Sequence, residues 1–110
     1  MGAQKEQLAA EYLEAQGYEI LERNFYSRTG EIDLIAREDG YLVFVEVKYR
    51  SSWRFGSPEE AVTPAKQRSI VRTARFYLLR RGFPEGTPCR FDVLAIDGEE
   101  LRLLRNAFSL

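Results

Sequence analysis

The 110-residue chain predicts an α/β domain built around a mixed β-sheet, with elements in the order αβββαββ. Three observations predict it. Apolar residues recur at helical spacing over 3–16 and 64–81. Alternating or short apolar runs, rich in Val, Ile, Leu and aromatic residues, fill the segments between and after them. The second helical stretch is long enough to serve as the crossover between two parallel strands, whereas Asp39-Gly40 is a hairpin turn and makes its neighbours antiparallel.

Taken in order, Leu8, Ala9, Tyr12 and Leu13 form the apolar arc of the first helix, and Gly17 stops it. A strand over 18–25 follows, and then the hairpin 31–37 and 41–48 around Asp39-Gly40. Ser57, Pro58 and Glu60 carry the signature of a capping box, which predicts a short helical turn over 58–62. Thr63-Pro64 repeats the signal and opens the long helix over 64–81, which Gly82 and Pro84 end. Strands over 90–96 and 101–105 flank the Asp97-Gly98 turn. No repeat or linker interrupts the chain, so residues 1–110 read as one domain.

Composition narrows the chemistry. At 45% hydrophobic and 30% charged residues, the chain has enough apolar bulk to fold. Its longest apolar run, Tyr41 to Val45, is far too short to span a membrane, and residues 1–7 lack the apolar stretch of a secretory signal. The expectation is a cytoplasmic protein with no membrane partner. One cysteine, Cys89, makes no intrachain disulfide, and the absence of histidine excludes Ser-His-Asp, Cys-His and His-metal chemistry. Catalysis, if any, falls to carboxylates, lysine, arginine or hydroxyls. The net charge of −1 hides a division: residues 1–47 carry −6, residues 48–90 carry +7 and residues 91–110 carry −2. A basic middle of that size is either a solvated surface or a site for a phosphate backbone.

The segment Leu42 to Lys48 is the most informative. Alternation puts Glu46 and Lys48 on one face and Val45 and Val47 on the other, in a strand apolar enough for the middle of a sheet. There a carboxylate and an ammonium either neutralise each other or face a polar site. The preceding strand carries Asp33 among apolar residues, and antiparallel pairing brings Asp33 near Glu46. Two carboxylates can hold Mg²⁺, which polarises a phosphodiester and makes water more acidic, while a lysine orients the water or stabilises charge on the phosphate. Glu6 falls at the edge of the first helix's apolar arc, and Gln67 falls within the apolar face of Ile70, Val71, Ala74, Tyr77 and Leu78. Each either reaches solvent or supports a site. Opposite that face, Arg68, Arg72 and Arg75 form a stripe, a solvated face or a phosphate track. The segment Tyr49 to Phe55 interleaves Arg50 and Arg54 with Trp53, a composition suited to stacking and phosphate contacts, or to anchoring the loop.

Gly30 to Ala36 followed by Val43 to Lys48 closely resembles the signature of the YraN-like family of small bacterial proteins. Phe55 to Val62, Lys66-Gln67 and Arg90-Phe91-Asp92-Val93 fit the same family, so the resemblance spans essentially the whole chain. That family is a predicted endonuclease group of the PD-(D/E)XK superfamily, distantly similar to archaeal Holliday junction resolvases. The resemblance implies a restriction-endonuclease-like core with a metal, Mg²⁺ or Mn²⁺, on Asp33, Glu46 and the Val47 carbonyl. It makes Lys48 the catalytic lysine, with Glu6 and Gln67 supporting. It also implies a DNA substrate, branched by analogy, and a homodimer. The candidate nucleic-acid surface, read from the basic and aromatic residues themselves, draws on Arg50, Trp53, Arg54, Lys66, Arg68, Arg72 and Arg75. Ile32 replaces the superfamily's nominal proline, and Lys5 replaces a glycine usual before the first-helix glutamate. The other reading is a nucleic-acid-binding module with negligible turnover.

Overall fold

Helices and strands follow one another as expected: α1 (Ala3–Ala15), β1 (Glu19–Ser27), β2 (Gly30–Glu38), β3 (Tyr41–Arg50), α2 (Pro64–Arg80), β4 (Cys89–Asp97) and β5 (Glu100–Phe108). The computed structural model describes residues 3–50, 62–98 and 100–109, except for the side chains of 3–5 and 50. The turn expected over 58–62 lies, apart from Val62, outside the described residues. No helix among the described residues is long and apolar enough to cross a membrane.

The strands lie side by side in chain order in one five-stranded sheet. Only β3 and β4 are parallel, because α2 carries the chain back across the sheet between them. The β2–β3 hairpin closes on Asp39 and Gly40 at φ 52° and 79°, the pair of left-handed residues that a tight two-residue hairpin needs. Thr63 caps α2 by accepting the Lys66 N–H at 3.2 Å, with Pro64 at the first helical position. After Arg81, Gly82 turns the chain at φ 73°.

Among the described residues, each face of the sheet packs one helix. On the α2 face, Ile70, Ala74 and Tyr77 bury against Phe25, Ile35, Phe44 and Phe91. On the α1 face, Ala9 and Leu13 meet Tyr18, Leu34, Val43, Val45, Val47, Leu94 and Ile96. β4 is buried on both faces from Arg90 to Ile96, as befits a strand with a parallel neighbour under a helix. Leu8, expected in the α1 arc, is exposed, because the arc centres on Ala9 and Leu13 and leaves Leu8 at its margin. The β1–β2 turn sits hard against α2. Gly30 adopts φ 145°, and a Cβ there would lie 2.6 Å from Ser69 Oγ, so glycine is required on both counts.

A polar network ties the sheet's two halves together at the end where β3 begins. Asp92, with 0% exposure, accepts from Tyr18 Oη at 2.5 Å, Arg90 Nε at 3.0 Å and Nη2 at 2.9 Å, and the Asn106 N–H at 2.9 Å. Arg90 also donates to Glu38 at 2.6 Å and to Tyr18 Oη at 3.1 Å. Burial, then the bond to Asp92, pushes the Tyr18 phenol well above its usual range. Both oxygens of this buried acid are satisfied, so removing it takes a shared acceptor from Arg90, Tyr18 and the Asn106 N–H and leaves Glu38 to pair with the buried guanidinium. Asp92→Ala is expected to cost about 3–5 kcal/mol and Tyr18→Phe about 1–2 kcal/mol in urea denaturation. A near-neutral Asp92→Ala would show that the network is ornamental to folding.

Candidate active site

The β2–β3 ladder runs from Glu38↔Tyr41 to Leu34↔Val45 and goes no further. Beyond that point β2 stays paired to β1 as far as Ser27↔Gly30, and β3 stays paired to β4 as far as Arg50↔Asp97. The sheet therefore forks, and Asp33 and Glu46 are the first residues past the fork. The cause is local. Asn24, flanked in the β1–β2 register by Arg23↔Leu34 and Phe25↔Ile32, stands opposite Asp33 in the left-handed conformation at φ 53°. Ile32 and Leu34, which a regular strand would put on one face, instead join the α2-side and α1-side cores respectively. Asp33 Oδ2 then accepts the Val47 N–H at 2.8 Å, replacing a ladder bond with a side chain. In an extended strand the N–H and C=O of one residue point the same way, so the Val47 carbonyl is turned to the same gap.

The two carboxyls meet in hydrogen-bond contact. Burial first, and then Glu46, push Asp33 up to about 7, against the opposing pull of the Val47 N–H and Lys66. Glu46 is only 5% exposed, and two ammonium groups approach its Oε2: Lys48 Nζ at 3.7 Å and Lys66 Nζ at 3.6 Å. Both contacts are ion pairs longer than hydrogen bonds, so neither lysine locks the carboxylate. Glu6 stands beside this pair, not on it; its Oε2 accepts from Asn24 Nδ2 at 2.7 Å and so supports the residue opposite Asp33. Gln67 turns away: its amide donates to the Val62 carbonyl at 3.1 Å and closes the first turn of α2.

Of the residues expected on a nucleic-acid surface, Trp53 and Arg54 lie outside the described residues, as does the Arg50 side chain. Arg68, Arg72 and Arg75 lie on the outer side of α2, without an ion pair to any described residue. They line a groove of about 370 Å³ together with Gln67, Val71 and Ser109. Lys66 does not join them. It precedes Ile70, Thr73 and Tyr77 by four, seven and eleven residues, all buried, and so points toward the sheet. The basic middle of the chain is thus dispersed, since Arg90 is buried and Arg81 pairs with Glu22 at 2.8 Å. Sequence reasoning passed over Tyr26. Its ring is 68% exposed, its hydroxyl bonds Glu31, and the charges of Glu6 and Asp33 bear on it.

Two carboxylates and a backbone carbonyl are oxygen donors for a hard cation, and two carboxyls in contact need a proton or a cation between them. The donor set fits Mg²⁺, or Mn²⁺ by the same chemistry. No group of three or more Asp, Glu, Cys or His side chains converges among the described residues, so water would complete the coordination of an ion here.

The fold and site together define a mixed α/β protein with paired acids and paired lysines at a strand fork. The chain belongs to the uncharacterised protein family UPF0102, whose pattern matches residues 5–96 and bears out the YraN-like resemblance. A UPF0102 protein of Lachnoclostridium phytofermentans is 60% identical over 107 residues, covering 97% of this chain and 91% of its own. One from Symbiobacterium thermophilum is 54% identical, covering 98% and 95%. Another, from Clostridium botulinum, is 39% identical, covering 100% and 94%.

Asp33 holds its proton more tightly in the folded chain than in the unfolded one. Its contribution favours folding below the ordinary value of 3.8 and is lost as the pH rises through about 7. Asp33→Asn keeps an oxygen acceptor for the Val47 N–H and removes that loss. The melting temperature of the variant relative to wild type, in EDTA, is expected to rise between pH 4.5 and pH 8. A difference that stays flat or falls would mark Asp33 as a structural anchor.

Proposed function

We propose that this protein is a metal-dependent DNA endonuclease on a restriction-endonuclease-like core, a single cytoplasmic domain that hydrolyses phosphodiester bonds. The observation that carries the reading is the contact between the Asp33 and Glu46 carboxyls at the β2–β3 fork, with Lys48 on the same face. Asp33, Glu46 and the Val47 carbonyl would hold the cation. When bound, it supplies Lewis-acid catalysis to phosphodiester hydrolysis. Asp33 is kept in place by the Val47 N–H, so the carboxylates are oriented before any ligand arrives. Lys48, two residues beyond Glu46 and half-buried, donates toward attacking water and the phosphate oxygens. Glu6 positions Asn24 and through it the β2 side of the fork, and Gln67 stiffens the first turn of α2. The groove of Arg68, Arg72 and Arg75 supports contact with the phosphate backbone, with Arg50, Trp53 and Arg54 as further candidates. Branched DNA and a homodimer follow from the analogy with junction resolvases, since two strands cut together need two sites.

Titration with Mg²⁺ or Mn²⁺ by calorimetry is expected to show saturable binding that Asp33→Asn/Glu46→Gln abolishes. On a panel of single-stranded, duplex and four-way-junction DNA, Glu46→Gln is expected to lower cleavage by at least about 10³-fold, and Lys48→Met by about 10²–10³-fold. Cleavage that survives Glu46→Gln or excess EDTA would falsify the assignment.

The arginine stripe on α2 favours a second reading, a nucleic-acid-binding module with negligible turnover. It predicts binding in EDTA with a steep salt dependence. Replacing Arg68, Arg72 and Arg75 by Gln is expected to reduce the slope of log K against log salt by nearly three, at about 0.9 for each phosphate that an arginine no longer neutralises.

A further inference from the structure

Lys66 belongs to the reacting centre. We propose that it is a second catalytic cation, contacting the scissile phosphate and taking the place that a second metal ion fills in two-metal nucleases. The inference rests on the nuclease reading of this chain.

Its basis is a convergence that the sheet alone cannot provide. Lys48 reaches Glu46 along β3, and Lys66 reaches the same oxygen from the helix that crosses over it. The Lys66 backbone is fixed in a first turn capped by Thr63, closed by the Gln67–Val62 bond and anchored by buried Ile70. Its ammonium therefore starts from a defined place, the condition for electrostatic catalysis without reorganisation. Its side chain remains 40% exposed, long enough to follow a ligand and open enough to meet one.

Charge balance gives the reason for two lysines. Asp33 and Glu46 offer two negative charges, which one divalent cation neutralises. Two-metal centres need more anionic ligands to keep two cations together; among the described residues no third acid joins the pair. In the hydrolysis itself, water oxygen bonds to phosphorus, one P–O ester bond breaks, and the proton lost by water is matched by one gained at the leaving oxygen. Both protons are exchanged with solvent. At the transition state a phosphodiester attacked by hydroxide carries two negative charges. Lys48 and Lys66 supply the two positive charges that match it. With Lys48 alone, one negative charge would stand uncompensated beside Glu46, a group with 5% exposure. The ion pairs to Glu46 fall short of hydrogen-bond geometry, so neutralising the carboxylate releases both ammoniums toward the phosphate.

The test compares wild type with Lys66→Met and Lys66→Arg in two ways. In Mg²⁺ calorimetry without nucleic acid, wild type is expected to bind one ion per chain. Lys66→Met is expected to bind one ion about two- to tenfold more tightly, since an ammonium no longer competes for Glu46. In Mg²⁺-dependent cleavage of the DNA panel, Lys66→Met is expected to lose about 10²–10³-fold in kcat with KM within about threefold, and Lys66→Arg to recover part of the loss. Melting curves confirm that the variants fold, and Lys66→Gln replaces Met if that variant does not. Two ions per wild-type chain, weaker metal binding by Lys66→Met, or wild-type kcat in that variant each overturn the inference while leaving the nuclease reading intact. A wild type that neither binds metal nor cuts any of the panel overturns the nuclease reading, and this inference with it.

Discussion

Two carboxyl groups held in contact inside a protein cannot both be ionised unless something positive lies between or beside them, and the rest of this structure is arranged around that constraint. The fork is what allows the contact. Had the β2–β3 ladder continued, backbone bonds would have filled the space that the Asp33 side chain now enters. The ladder can stop without unravelling the sheet because each limb is held from outside, β2 by β1 and β3 by β4. α1 supports one limb through Glu6 and Asn24, and the first turn of α2 closes over the other with Lys66. Stability that a continuous hairpin would have provided is given up for a pair of acids in a place where acids are uncomfortable.

Asp92 provides the internal control. It is as buried as any acid in the chain, yet it takes four hydrogen bonds from three partners. Nothing further could bind to it. Glu46, also buried, and Asp33, half-buried, share the same sheet, but have one backbone donor, each other, and two ammoniums at ion-pair distance. Burial by itself therefore does not decide how well an acid is satisfied in this molecule: Asp92 is saturated by the fold, whereas Asp33 and Glu46 take fewer hydrogen bonds from the described residues.

The site's nucleus was legible because it is local. Asp39-Gly40 sets the hairpin register, and period-two alternation then places Asp33 beside Glu46 and puts Lys48 on the Glu46 face. Helix boundaries were legible from Thr63-Pro64 and Gly82 for the same reason. The spacing of Lys66 from Ile70 and Tyr77 points it inward, apart from the arginine stripe, but its approach to Glu46 is not written in the sequence, which does not contain how far α2 slides along β3 before it packs. The Asp92 network was illegible, since Tyr18 and Asp92 stand 74 residues apart and no local pattern pairs them. Asn24 was equally silent. A left-handed residue in mid-strand leaves no trace in alternation except the face switch between Ile32 and Leu34, which only the packed structure displays.

The parallel crossover explains why the cations gather on one side of the acid pair. A right-handed β–α–β connection returns its helix across the sheet, so the first turn of α2 overlies the end of β3 where Glu46 and Lys48 lie. That turn brings the positive end of the helix dipole as well as Lys66. The opposite flank, made of α1 and β1, brings Glu6 and the Tyr26–Glu31 pair instead. The carboxylates therefore stand between a flank that carries Lys66 with the N-terminus of α2 and a flank that carries Glu6 and Glu31. In α/β sheets generally, ligands bind outside the carboxyl ends of parallel strands, because helix N-termini and loop donors converge there. Among the described residues there is a single parallel pair, β3 and β4, and Glu46, Lys48 and Lys66 sit at that end of it.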